Sequence, residues 1–188
     1  MSSSLACRWT FADRLLQRLR CRRAVEMIPP GAVLADLGCG KGDFLRSVSP
    51  RISAGYGIDS IVPSSGGGIN LTFLRGDLDT AIPLPAESVD VVTAFAVLEH
   101  LHRPEIFVAE IFRVLKPASR CILTTPTPRS QPVLEFLAYR LKVISGNDVR
   151  DHKHYFGSEE LRSLFREFSG LSIRTFQAGM NSLVIGRK

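Results

Sequence analysis

Val33-Leu34-Ala35-Asp36-Leu37-Gly38-Cys39-Gly40-Lys41-Gly42-Asp43-Phe44-Leu45 is the stretch from which the rest of the chain is read. A short apolar run ends in an acid, three alternating glycines follow, and an amphipathic segment begins. The apolar run suits a strand buried on both faces, and the glycines suit a sharp turn with a ligand close against the backbone. Phe44, Leu45 and Val48 then form a helical stripe that Pro50 closes. Strand, tight turn and helix at this spacing point to a nucleotide-like ligand at the turn.

Glycine spacing and the acid separate two ligand classes. A dinucleotide pyrophosphate sits on a helix N-terminus behind G-x-G-x-x-G, whereas the spacing here is G-x-G-x-G. Asp36, two residues before Gly38, would repel a pyrophosphate but suits a ligand carrying positive charge, such as the ammonium and sulfonium of S-adenosylmethionine (SAM). Asp36 to Gly42, D-L-G-C-G-K-G, closely resembles motif I of class I SAM-dependent methyltransferases.

Further acids follow in order. Ala54 to Ile58 reads as a second strand delivering Asp59, about twenty residues after the glycines, where a carboxylate can accept hydrogen bonds from both ribose hydroxyls; taken singly, it reads first as an ordinary cap or turn residue. Asn70 to Arg75 reads as strand three, followed by Gly76-Asp77-Leu78-Asp79. Ile82-Pro83-Leu84-Pro85 then leads into a buried fourth strand, Ser88 to Phe95, and into Val97-Leu98-Glu99-His100-Leu101. In this order, from about Val33 to Pro126, the chain resembles the small-molecule methyltransferases of the ubiquinone and menaquinone biosynthetic type. The resemblance implies a Rossmann-like doubly wound α/β fold in three layers, with seven strands, mostly parallel, and an antiparallel last strand. It implies SAM as cofactor and S-adenosylhomocysteine (SAH) as product. It places Asp36, Gly38, Cys39, Gly40, Asp59 and Ser60 in the cofactor site, with Asp77 on the adenine amino group, Leu78 beside the ring, and Phe95 and Ala96 lining the site.

Composition narrows the setting. At 188 residues with 45% apolar side chains the chain reads as one domain with a full core. It has no apolar run long enough to span a bilayer and no signal-peptide core in Met1 to Arg8. Cys7, Cys21, Cys39 and Cys121 are scattered, without the pairing of a zinc site or disulfide framework. A cytoplasmic protein with reduced thiols and no metal is expected. The net charge is +6, and residues 1–30 carry six arginines against Asp13 and Glu26. This reads as a basic helix within residues 1–31, opened by Thr10 and ended by Pro29-Pro30-Gly31, with a solvated charged face. With only Trp9 and Phe11 able to stack on bases, it makes a poor nucleic-acid platform. Residues 61–69 read as loop where the family has a helix.

In the C-terminal half, Pro104 opens a helix that Lys116-Pro117 is expected to end, and Ser119 to Thr125 reads as strand five. Val133, Leu134, Leu137, Leu141 and Ile144 share a helical face beside Arg140 and Lys142. Residues 127–156 are therefore read as an insert forming a lid over the acceptor. Asp151 to Phe156 resembles the H-x-x-x-F element of these enzymes. A helix capped by Ser158 and a hairpin of Leu171–Phe176 with Ser182–Gly186 complete a single domain.

The implied reaction is methyl transfer from SAM to an oxygen, nitrogen or carbon nucleophile of a small-molecule acceptor, whether anionic, lipid-like or a glycan precursor. Of four histidines, His152 and then His100 are the candidate general bases; His102 and His154 complete the set. Three alternatives remain: a catalytically silent SAM- or SAH-binding protein of the same fold; an NAD-dependent oxidoreductase, against which the glycine spacing and Asp36 argue; and a nucleic-acid methyltransferase using the arginine cluster, against which the absence of an N/D-P-P-Y/W motif argues.

Overall fold

Val33–Leu37 (β1) is flanked by parallel strands on both sides, Ala54–Asp59 (β2) and Val89–Phe95 (β4), and so is buried twice over, as its apolar run requires. In the computed structural model, which describes residues 24–61, 68–135 and 153–188, the sheet continues through Leu71–Arg75 (β3), Leu115–Pro126 (β5), Ser169–Phe176 (β6) and Asn181–Arg187 (β7). The strand order is β3-β2-β1-β4-β5-β7-β6, and β7 alone runs against its neighbours, antiparallel to both β5 and β6. The described helices are Asp43–Val48 (α1), Pro104–Val114 (α2), Gln131–Glu135 (α3) and Ser158–Leu164 (α4).

Strand parity sorts the core into two layers. Cys121 and Leu123 of β5 face one core with Phe107, Val108 and Ile111 of α2 and Leu161 of α4. Ile122, between them, faces the other with Phe44, Leu45 and Val48 of α1 and with Ala24 and Ile28. The fold is thus an open, doubly wound α/β sheet, as expected. At its β3 edge, large side chains lie over backbone: a Cβ on Gly55 would stand 2.7 Å from Leu71, and one on Gly57 2.5 Å from Phe73. Arg46 of α1 stacks above the Phe73 ring at 5.1 Å.

Three boundaries differ from the sequence reading. Helix α2 stops at Val114, and Leu115 passes directly into β5, so Lys116-Pro117 belongs to the strand. The strand bulges there: Leu115 pairs with Val89, pairing resumes at Arg120 with Val91, and Ala118 takes φ +62°. Lys116 holds the bulge with an ion pair to Asp90 at 2.7 Å. At α4 the N-cap is Gly157, whose N–H donates to Glu160 at 2.7 Å, and Ser158 is the first helical residue. Before β1, residues 24–25 are helical and a turn of residues 26–28 precedes Pro29, so the described helix stops short of the expected Pro29-Pro30-Gly31 end. Most of the expected basic helix, the core of the 61–69 connection and residues 136–152 of the expected lid, His152 included, lie outside the described residues.

The connection between β3 and β4 carries two of the expected site residues and is clamped from α2. Arg113 donates to the carbonyls of Leu84 and Ile82, both at 2.9 Å, and to Glu110, whose carboxylate accepts from Ile82 N–H at 2.9 Å. The Arg113 guanidinium holds the Glu110 carboxyl below its usual range. Arg113→Ala should lower stability by about 1–2 kcal/mol in urea denaturation. Combined with Glu110→Ala it should be less than additive, because both remove one network.

Candidate functional site

Parallel register brings the ends of four strands into one row. Leu37 pairs with Ile58 and with Ala94, and Asp59 pairs with Arg75, so the residues that follow β1, β2, β3 and β4 emerge together at the carboxyl edge. Connections leave β1 and β4 toward opposite faces, and a crevice opens at such a switch point. There a cleft of about 340 Å³ is lined by Gly38, Asp59, Ser60, Gly76, Asp77, Leu78, Ala96, Val97, His100 and Leu101. Seven of the twelve residues expected from the sequence share this lining. Gly76, Val97 and Leu101 were not expected in the lining; each belongs to the Gly76–Asp79 or the Val97–Leu101 motif, but which neighbour turns inward depends on the loop path.

Asp59 organises the ligand side of the cleft. Its Oδ2 accepts from Gly40 N–H at 2.8 Å across from the glycine turn, and its Oδ1 accepts from Ile61 N–H at 3.1 Å and Ser60 Oγ at 3.3 Å. The acid therefore fixes the turn as well as facing the cleft. Asp77 accepts from Asp79 N–H at 3.0 Å, and Asp79 in turn accepts from the N–H groups of His102 and Arg103 at 2.7 and 2.8 Å. These bonds hold the β3–β4 connection against the start of α2. Ala96, with φ +56°, carries the backbone strain of a non-glycine residue in the left-handed region at the cleft wall.

Asp36 is 3% exposed and stands behind the turn, outside the lining set. Burial pushes its carboxyl from 3.8 up to about 7; the Thr93 hydroxyl, donating at 2.7 Å, opposes the rise, and the nearby Asp59 charge adds to it. The Cys39 thiol is pushed up to about 12 by burial and by Asp36 and Asp59, so at neutral pH it is a protonated thiol without nucleophilic character. Gly40 takes φ +53° with open space where a side chain would stand. Phe95 points away from the cleft into the α1 core, edge-on to Phe44 at 4.8 Å. Among the histidines, His100 lines the cleft, His154 lies against Phe156 with ring centroids 5.6 Å apart, and His102 is exposed. No described group of side chains could hold a metal ion, and no described helix is long and apolar enough to cross a membrane.

A doubly wound sheet with a glycine turn, a second-strand acid and a third-strand acid around one crevice defines a nucleotide-type ligand site of the Rossmann-like class. The chain belongs to the methyltransferase-domain family, whose model matches residues 8–174. A Mycolicibacterium smegmatis protein named for SAM-dependent methyltransferase activity is 35% identical over 100 residues, 51% of this chain and 38% of its own. A ubiquinone biosynthesis O-methyltransferase of Hahella chejuensis is 32% identical over 104 residues, 51% of this chain and 44% of its own. The chain thus spans less than half the length of these two relatives. Among solved structures, a SAM-dependent methyltransferase from Mesorhizobium loti shares the fold, with a TM-score of 0.68 at 19% identity over 90% of this chain and 98% of that one. SAM is the cofactor that the family implies, and the groups present fit it: the Asp59 and Asp77 carboxylates line the cleft, the glycine turn leaves open space at Gly40, and Asp36 is buried behind the turn.

Proposed function

We propose that the protein is a SAM-dependent methyltransferase acting on a small-molecule acceptor that meets the cofactor beside His100. The observation that carries this reading is the Asp59 carboxylate, which bridges to the glycine turn while lining the cleft. SAM supplies an activated methyl group. Held by Asp59, Asp77 and the glycine turn, it would offer that group for in-line transfer to the acceptor nucleophile and leave as SAH. The chain's task is alignment, which in oriented reactions contributes on the order of 7–11 kcal/mol. An acceptor hydroxyl must also lose a proton, and His100 is the described residue of suitable chemistry at the cleft wall. The name of the Hahella chejuensis relative makes a hydroxyl oxygen the first acceptor atom to test. An anionic acceptor would find the exposed Lys153 and Arg129 near the two ends of the 127–156 segment.

Calorimetry with SAM, SAH and NAD tests the cofactor side, and SAH release with candidate acceptors tests turnover. SAM binding without turnover would favour the silent binder; binding of NAD alone would favour the oxidoreductase. Asp36 adds a pH signature. Its proton is held up to about pH 7 in the free protein, and the positive charges of SAM favour the carboxylate, so binding should release a proton. SAM affinity should rise with pH toward 7, by up to tenfold per unit, and level off above it. Asp36→Asn should flatten the profile, and an equally steep profile in that variant would remove Asp36 as the source. For folding the sign is opposite: the native state holds this proton more tightly than the unfolded chain, so the contribution of Asp36 to stability declines as pH rises from about 4 to about 7.

A further inference from the structure

Glu99 is 1% exposed, within the 3-10 turn Leu98–His100 between β4 and α2, and the chemistry above does not use it. Its carboxyl accepts from Thr125 Oγ1 at 3.1 Å, and Thr125, equally buried, stands at the carboxyl end of β5. Its main-chain carbonyl accepts from the N–H groups of Lys153 and His154, at 2.8 and 3.3 Å. Lys153 Nζ donates to the adjoining His100 carbonyl at 2.6 Å, while His100 and Leu101 line the cleft. Just beyond, Phe156 anchors the same segment in the core at 8% exposure. Three pieces of chain distant in sequence therefore meet at one residue: the cleft turn, the end of β5 and the segment 153–156. A carboxyl sealed from water is costly unless its bonds are needed. An apolar turn residue would complete the 3-10 turn equally well, but would leave it untied to β5.

We propose that Glu99 is a positioning residue for methyl transfer. Bonded to Thr125 through its side chain, it fixes to β5 the turn whose Glu99 and His100 main-chain carbonyls hold residues 153–154, so that cofactor in the cleft orders the acceptor side of the site. The inference rests on the cleft being the cofactor site, and the test separates the two readings. The probe is SAH on the full chain, read by calorimetry and by hydrogen exchange of the Lys153 and His154 amides. In the wild type, SAH should slow these two amides at least tenfold. In Glu99→Ala and Thr125→Val, SAH should bind within threefold of wild-type affinity, yet slow them less than twofold. Glu99→Gln keeps an acceptor for the Thr125 hydroxyl and should restore the effect. A purely structural role would raise exchange throughout the fold and leave the SAH-dependent increment intact, which would overturn the proposal. So would normal SAH binding with no slowing at 153 and 154 in the wild type. Absence of SAH binding in the wild type would overturn the cofactor reading and this inference together. Thr125→Val, nearly isosteric, carries the test if Glu99→Ala does not fold.

Discussion

Gly38→Val is expected to leave no measurable SAH binding in calorimetry, a loss of more than a hundredfold, and to destabilise the fold. Gly38 takes φ +69°, and a Cβ there would stand 2.4 Å from Val97 Cγ2. The left-handed backbone costs a side-chain-bearing residue roughly 1–2 kcal/mol, and the forced shift of Val97 about 1–3 kcal/mol more. Both residues line the cleft, so relieving the clash deforms the ligand site itself. Gly40→Ala is the control. It takes φ +53° but meets no protein atom within 4 Å, so it should fold with a loss of only about 1 kcal/mol and weaken SAH in proportion to how fully the ligand fills that space. Gly38→Val binding SAH within threefold of wild type would mean that the ligand does not pack against this turn.

Asp59→Ala should weaken SAH by about ten- to a hundredfold while the protein stays folded. Two losses combine. Ribose hydroxyls held by Asp59 would lose their charged acceptor, worth roughly 1–3 kcal/mol, and Gly40 N–H and Ile61 N–H lose theirs, at 2.8 and 3.1 Å in the free protein. Hydrogen exchange distinguishes the two contributions: faster exchange at Gly40 without ligand reports release of the turn, and the calorimetric loss reports both. Unchanged affinity in folded Asp59→Ala would take Asp59 out of the cofactor site.

What could be read before any fold was known was local. An apolar run, a glycine turn and an amphipathic stripe determine strand, turn and helix through backbone sterics and burial, and acids placed at strand ends must reach the carboxyl edge of a parallel sheet. Gly38, Asp59 and Asp77 accordingly lie at that edge, as the antiparallel last strand lies where its hairpin put it, whereas Ala96 was expected from the family resemblance alone. Phe95 shows where this stops. One residue along a strand reverses the facing side, and Phe95 turned into the α1 core while Ala96 and Val97 took the cleft. The end of α2 was also misplaced, because Leu115 completes the ladder to Val89 before Lys116-Pro117 can act as a helix stop.

Contacts across long separations belonged to the tertiary structure alone. Asp36 meets Thr93 across 57 residues, and Glu99 meets Thr125 across 26. No local pattern marks such pairs, since a threonine in a strand and a glutamate in a turn are unremarkable until the sheet register sets them opposite each other. The sequence by itself determined that a glycine turn and the carboxylates of Asp59 and Asp77 stand at the ends of neighbouring strands. Only the packed sheet decided which carboxyls lose their water, and therefore that Asp36 holds a proton near neutrality and that Glu99 is tied to β5, because burial and partnership are properties of neighbours that chain order does not specify.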